Sequence, residues 1–191
     1  MTEEAKFAQH DRLVKIFLPI IPNWLKPNYL TFCRLILSPI VAILLVADYY
    51  RWALAIFIIL ALTDMFDGAI ARLRNQITEW GKIWDPVADK LLIGFVIVLL
   101  LFEKNLALGL LILLLEFFFV LGAIVRMIKS SDAAEIKANI WGKIKMILQC
   151  TAAGLLILSV IVRLGFLESA AEIIFYISLG FASMSLIKHG I

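Results

Sequence analysis

The sequence predicts an all-α integral membrane protein: six transmembrane helices preceded by an N-terminal amphipathic interfacial helix. Three observations predict it. Hydrophobic residues fill 63% of the 191 positions, and mean hydropathy is +0.98; soluble domains run at about 45–50% apolar. The apolar residues gather into six stretches of about 20, the length a helix needs to cross the hydrocarbon layer. The polar connections between them are short, which leaves no room for a second soluble domain and gives no sign of a nucleic-acid partner.

The elements follow in order. Residues 1–26 read as a cytoplasmic amphipathic segment. Phe7, Leu13, Val14, Phe17 and Leu18 can share one helical face, while Lys6, Arg12 and Lys15 lie toward lipid headgroups. Ile16–Ile21 is too short and too proline-flanked for the apolar core of a cleavable signal. Pro19, Pro22 and Pro27 turn the path into the membrane. Residues 27–191 form the membrane domain, with spans expected near 29–49, 52–73, 84–102, 106–128, 142–163 and 170–188. Cys33 and Cys150 sit in apolar runs and read as small buried hydrophobes, with no metal or disulfide spacing. Gly154 and Gly180 permit close helix packing in the last two spans.

Charge placement sets the expected topology. With this layout fifteen of the 18 Lys and Arg residues fall on one side, and only Arg51, Lys104 and Arg163 on the other. The positive-inside rule then makes both termini, the 2–3 loop and the 4–5 loop cytoplasmic. The expected location is a bacterial-type cytoplasmic membrane, as a multi-pass protein.

Residues 64–89 carry the chemistry. They read Asp64-x2-Asp67-Gly68-x2-Ala71-Arg72-x8-Gly81-x3-Asp85-x3-Asp89. Eight fixed positions at ordinary residue frequencies arise by chance about once in 10¹⁰ starts. Ionisable groups are expensive within a bilayer and mark function there. Asp64, Asp67 and Ala71 share a helical face at the inner end of the second span. Gly68 removes a side chain beside Asp67. Asp85 before Pro86 reads as the N-cap of the third span, with Asp89 one turn further in. A ten-residue connection, roughly 73–82, makes the two spans antiparallel neighbours with their acids facing each other at the cytoplasmic membrane surface. Four carboxylates there need neutralising. Hard cations such as Mg²⁺ or Mn²⁺, two of them, suit an all-carboxylate set, and a metal pair can clamp a phosphate ester. Two other readings exist: acids paired with Arg or Lys to fix helix packing, and a cation-coupled transporter. Transporters bind at mid-depth rather than at one face.

On these residues the chain resembles the CDP-alcohol phosphatidyltransferase family, with all eight positions matched without a gap. The resemblance extends to chain size, six spans and the amphipathic leader. It implies transfer of a phosphatidyl group from CDP-diacylglycerol to an alcohol, with release of CMP. It further implies that Asp64, Asp67, Asp85 and Asp89 bind the metals and that Asp89 also acts as general base. Gly68, Ala71, Arg72 and Gly81 would surround the CDP group, and homodimerisation would be expected. Pro27-Asn28-Tyr29-Leu30-Thr31 with Arg34, Asp85-Pro86-Val87-Ala88-Asp89-Lys90, and Gly142-Lys143-Ile144-Lys145 with Gln149 are similar to the phosphatidylglycerophosphate synthase branch. In that branch Asn28 and Thr31 would border the nucleotide, and Arg126, Lys143 and Lys145 would bind an acceptor such as glycerol 3-phosphate. Leu115 departs from it, since an arginine usually precedes the glutamate found here at Glu116. Phosphatidylglycerol, an inositol phosphate or an amino alcohol are the alternative acceptors. Arg34 either snorkels to headgroups or faces the acids. Glu116 needs a partner from another helix or from water, because Arg126 lies about 15 Å away along the same helix.

Overall fold

The computed structural model describes the backbone of residues 27–73, 79–129 and 140–189. Within these it describes the side chains of residues 28–63, 84, 87, 88, 90–122 and 141–185. The expected interfacial helix in residues 1–26 lies outside the described residues.

Helices account for nearly all of the described chain. They are α1 (Pro27–Val46), α2 (Tyr50–Leu73), α3 (Glu79–Val96), α4 (Leu106–Lys129), α5 (Ile140–Val162) and α6 (Gly165–His189). Helix α3 continues through a π-helical turn, Ile97–Leu101, and a last α-turn, Phe102–Lys104. Among the described residues, Asn28–Val46, Trp141–Val162 and Gly165–Ser185 are long and apolar enough to cross a membrane, and Tyr50–Thr63 and Leu106–Gly122 are shorter apolar stretches. Helices are what a bilayer permits, because each satisfies its own backbone groups without water.

Three tight turns gather at one end of the bundle. Helix α1 ends in a Schellman turn: Asp48 takes the left-handed conformation (φ 62°), and the N–H groups of Asp48 and Tyr49 donate to the carbonyls of Leu45 and Leu44. The Tyr50 hydroxyl donates to the Asp48 carboxylate at 2.6 Å. Helix α5 ends in the simpler left-handed cap, with Arg163 at φ 58° and its N–H on the Ser159 carbonyl at 2.8 Å. Asn105 caps α4, accepting from the Leu108 N–H at 3.1 Å. Its amide also donates to the Tyr176 hydroxyl (3.2 Å) and the Glu172 carboxylate (3.4 Å) of α6. Lys104 pairs with Glu168 at 3.3 Å. These contacts bring the α3–α4 turn to the start of α6, and a cavity of about 710 Å³ joins the α1–α2 turn to the end of α5.

The core runs along the bundle axis. Val41, Leu45, Phe57, Leu60, Leu92, Val96, Ile97, Ile112, Ile157 and Phe175 form one buried apolar cluster. Helix α1 packs extensively on both α2 and α3, and α5 on α6, whereas α2 and α3 meet directly at few positions. Gly154 sits against Phe57, whose Cε1 would lie 3.7 Å from an added Cβ, while among the described residues nothing approaches Gly180. Ile43, Leu110, Leu114, Phe117 and Phe166 are exposed around the outside. An apolar skin of this extent suits lipid rather than water.

Three expectations change. Asp85 is no N-cap: α3 begins six residues earlier, at Glu79. The stretch Glu79–Trp84 mixes Trp80, Ile83 and Trp84 with polar residues, a composition that suits a helix at a membrane interface. The connection between the acid-bearing helices is correspondingly shorter, residues 74–78. Cys33 is exposed and Cys150 only partly buried. On α1 the inner face belongs to Thr31 and Arg34, so Cys33 turns outward, where an apolar side chain meets lipid at no loss.

Of the described glycines, Gly109 leaves the least room for a side chain. A Cβ there would fall 2.5 Å from the Phe102 ring, at the close approach of α4 to the end of α3. Gly109→Val should lower stability by about 1–3 kcal/mol, the usual penalty of overpacking, read as earlier thermal unfolding in detergent.

Candidate functional site

Helix α1 builds the described wall of the site. Thr31, Arg34, Ser38, Val41 and Leu45 recur at three- and four-residue spacing and are all buried, so they form one face of the helix. The face is apolar near the α1–α2 turn and polar toward the other end. Asn28, one turn before Thr31, is half-buried. The Ser38 hydroxyl donates to the Arg34 carbonyl at 2.7 Å, which keeps it satisfied without a partner from another helix. Arg34 is 0% exposed. A snorkelling arginine keeps its head in water or among headgroups; Arg34 is turned into the protein instead.

Backbone geometry sets the heights of the motif. Counted from the turns gathered at the opposite end, Arg34 lies 12 residues from Val46, Asp64 14 from Tyr50 and Asp89 15 from Lys104. At 1.5 Å per residue these are heights of about 18, 21 and 22 Å. Asp67 and Asp85 lie 17 and 19 residues from the same turns, at about 26 and 28 Å. The two helices therefore carry their acids at two matched levels, with Arg34 close to the deeper one, and α1 packs on both. The side chains of Asp64, Asp67, Ala71, Arg72, Asp85, Asp89 and Arg126, and the surroundings of Gly68 and Gly81, lie outside the described residues.

A second polar cluster sits in the middle of the bundle. Glu116, halfway along α4 and 9% exposed, accepts hydrogen bonds from Lys145 Nζ at 2.7 Å and Gln149 Nε2 at 2.9 Å on one carboxylate oxygen. Lys90 Nζ lies 3.6 Å from the other oxygen and 3.4 Å from the Glu116 backbone carbonyl. Lys145 Nζ also stands 4.0 Å above the centre of the Phe119 ring, a cation–π contact in a desolvated setting. The glutamate's partners thus come from α3 and α5. Gly142 lies one turn before Lys145 on the same face of α5, and Lys143, on a different face, is half-buried.

A family model described as CDP-alcohol phosphatidyltransferase matches residues 24–184. The chain belongs to the CDP-alcohol phosphatidyltransferase family. A relative from Rickettsia felis named CDP-diacylglycerol–glycerol-3-phosphate 3-phosphatidyltransferase is 37% identical over 139 residues, covering 69% of this chain and 74% of its own. Relatives of the same name from Rickettsia bellii (34% over 160 residues, 80% and 86%) and Bacillus subtilis (32% over 148 residues, 69% and 76%) are similar at comparable extent.

The structure therefore brings Thr31 and Arg34 onto the buried face that packs against both acid-bearing helices, and brings Lys145 to Glu116. Sequence reasoning missed Lys90 as a partner of Glu116. The available signal was that Lys90 and Glu116 are both ionisable residues within spans, which seek each other in the bundle interior. Among the described residues no group of His, Cys, Asp and Glu offers a rival metal site.

Arg34→Met keeps the volume and removes the buried charge beside the acid-bearing helices. Turnover, measured as CMP release, should fall at least about tenfold while the protein still folds. An arginine serving only membrane anchoring would tolerate the change.

Proposed function

We propose that this protein is an enzyme of phospholipid biosynthesis that transfers the phosphatidyl group of CDP-diacylglycerol to glycerol 3-phosphate and releases CMP. The observation that carries this reading is the similarity to relatives of that name over most of the chain, joined to an intact acid motif on α2 and α3. In the full reading, six helices span the membrane, residues 1–26 lie on the cytoplasmic surface, and residues 27–191 form the catalytic domain. The acid end faces the cytoplasm, and the enzyme works as a homodimer.

The chemistry follows from the residues. The acceptor hydroxyl oxygen attacks the phosphorus that carries the diacylglycerol, and a new P–O bond forms. The P–O bond to CMP breaks, and CMP leaves with the electron pair. Asp89 takes the proton of the hydroxyl. Asp64, Asp67, Asp85 and Asp89 are an all-oxygen donor set at matched heights, which fits two hard divalent cations, Mg²⁺ or Mn²⁺. When bound, such ions supply charge neutralisation for the diphosphate and its leaving oxygen. Gly68, Ala71 and Gly81 leave room for the CDP group, and Asn28, Thr31 and Arg72 border it. Arg126, Lys143 and Lys145 offer cations to the acceptor phosphate. Little more than positioning, neutralisation and deprotonation is needed for phosphoryl transfer.

The test is CMP release by purified protein with CDP-diacylglycerol, Mg²⁺ and a panel of acceptors. Release is expected with glycerol 3-phosphate and not with phosphatidylglycerol, an inositol phosphate or an amino alcohol. Release with one of the latter alone would reassign the acceptor and give Leu115 its meaning. Asp89→Asn should lower turnover by about 10²–10⁴-fold with the thermal transition preserved; an active variant would end its assignment as base.

A further inference from the structure

Glu116 is the one acid between Lys104 and Asp132 in the sequence, and the reaction as derived above gives it no task. It sits in the interior with two lysines and a glutamine around it, on three helices. We propose that Glu116 is a positioning residue: it fixes where Lys145 presents its ammonium to the acceptor phosphate, and through Lys90 it ties that placement to the helix bearing Asp85 and Asp89. The proposal rests on the reading of Lys145 as an acceptor ligand.

The geometry carries the argument. Lysine is a flexible chain with a compact head, and by itself it places its charge poorly. Lys145 is 4% exposed and is held from two sides. The Glu116 carboxylate accepts one of its protons at 2.7 Å, and the Phe119 ring lies 4.0 Å away. An ammonium has three donors, so this hold leaves donors for a phosphate oxygen. Gln149, one turn after Lys145 on α5, donates to the same carboxylate oxygen at 2.9 Å, which fixes the carboxylate in turn. Lys90 reaches both the second oxygen and the backbone carbonyl of Glu116. Lys90 is the residue after Asp89, so a displacement of Glu116 is transmitted to the register of α3 against α4. Stability alone does not call for such a cluster, since apolar residues of similar volume stabilise an interior as well as a buried ion pair does.

The experiment is a double-mutant cycle on the purified enzyme with Glu116→Gln, Lys145→Met and the double variant. KM for glycerol 3-phosphate and KM for CDP-diacylglycerol are measured separately beside the thermal transition. Each single variant should raise KM for glycerol 3-phosphate by about tenfold or more and leave KM for CDP-diacylglycerol within about twofold. The double variant should be no worse than Lys145→Met alone, since Glu116 acts through Lys145. If Glu116→Gln does not fold, Glu116→Asp keeps the charge, moves it by one methylene, and must give the same split. Multiplying effects would overturn the proposal and make Glu116 a structural residue, as would an equal rise in both KM values. If Lys145→Met raises KM for glycerol 3-phosphate and Glu116→Gln does not, the positioning role alone fails. An unchanged KM in Lys145→Met removes the acceptor role of Lys145 and this proposal with it, whereas absent CMP release from the wild type points to failure of the functional reading itself.

Discussion

The simultaneous packing of α1 against α2 and α3 is the contact on which the site depends. Among the described residues the two acid-bearing helices touch each other little, and α1 packs on both. One heptad-like face does this, Thr31, Arg34, Ser38, Val41 and Leu45. Its apolar end locks the three helices beside the tight turns. Its polar end reaches the height of the acids. Because the turns at 47–49 and at Asn105 are short and well capped, the heights of Asp64 and Asp89 are set from the opposite end of the bundle, about 20 Å away. Rigid helices anchored at one end can in this way align acids at the other.

Electrostatics divides the molecule in the same direction. Near the capped turns the described charges lie at or near the surface, where Lys104 pairs with Glu168. Toward the acid end they go inside: Arg34, Lys145 and Glu116 are all buried. An interior charge in a lipid-embedded bundle has no water to fall back on, so it is paired or it serves a ligand. The Glu116 cluster is paired across α3, α4 and α5, and it sits one residue from the acid motif along α3. A lipid-linked diphosphate and a small phosphorylated alcohol are both anionic. A bundle that concentrates buried cations and the acid motif toward one end suits that pair of substrates.

Much of this was legible in the sequence. Helix positions follow from apolar stretches, and the observed ends of α2, α4 and α5 lie within about two residues of the expected spans. The motif names its own acids, and its family is confirmed by the match over residues 24–184. The start of α3 was not legible, because Asp85-Pro86 imitates a helix start while the interfacial tryptophans before it extend the helix by a further six residues. The direction of Arg34 was not legible either. A helix one turn inside a span presents lipid on one side and protein on the other, and only the position of α2 and α3 decides between them. The partners of Glu116 lie 26, 29 and 33 residues away along the chain, on two helices whose placement no local pattern encodes.

The central claim is that four aspartates on two helices, brought to matched heights by α1, form one divalent-metal site. Binding of Mn²⁺ to the purified protein, followed by electron paramagnetic resonance, tests it without reference to turnover. The account predicts saturable binding of about two ions in the wild type. Binding should be lost or halved when either helix is altered alone, by Asp67→Asn on α2 or by Asp85→Asn on α3, with the fold preserved. Undiminished binding in both variants, or none in the folded wild type, would contradict it.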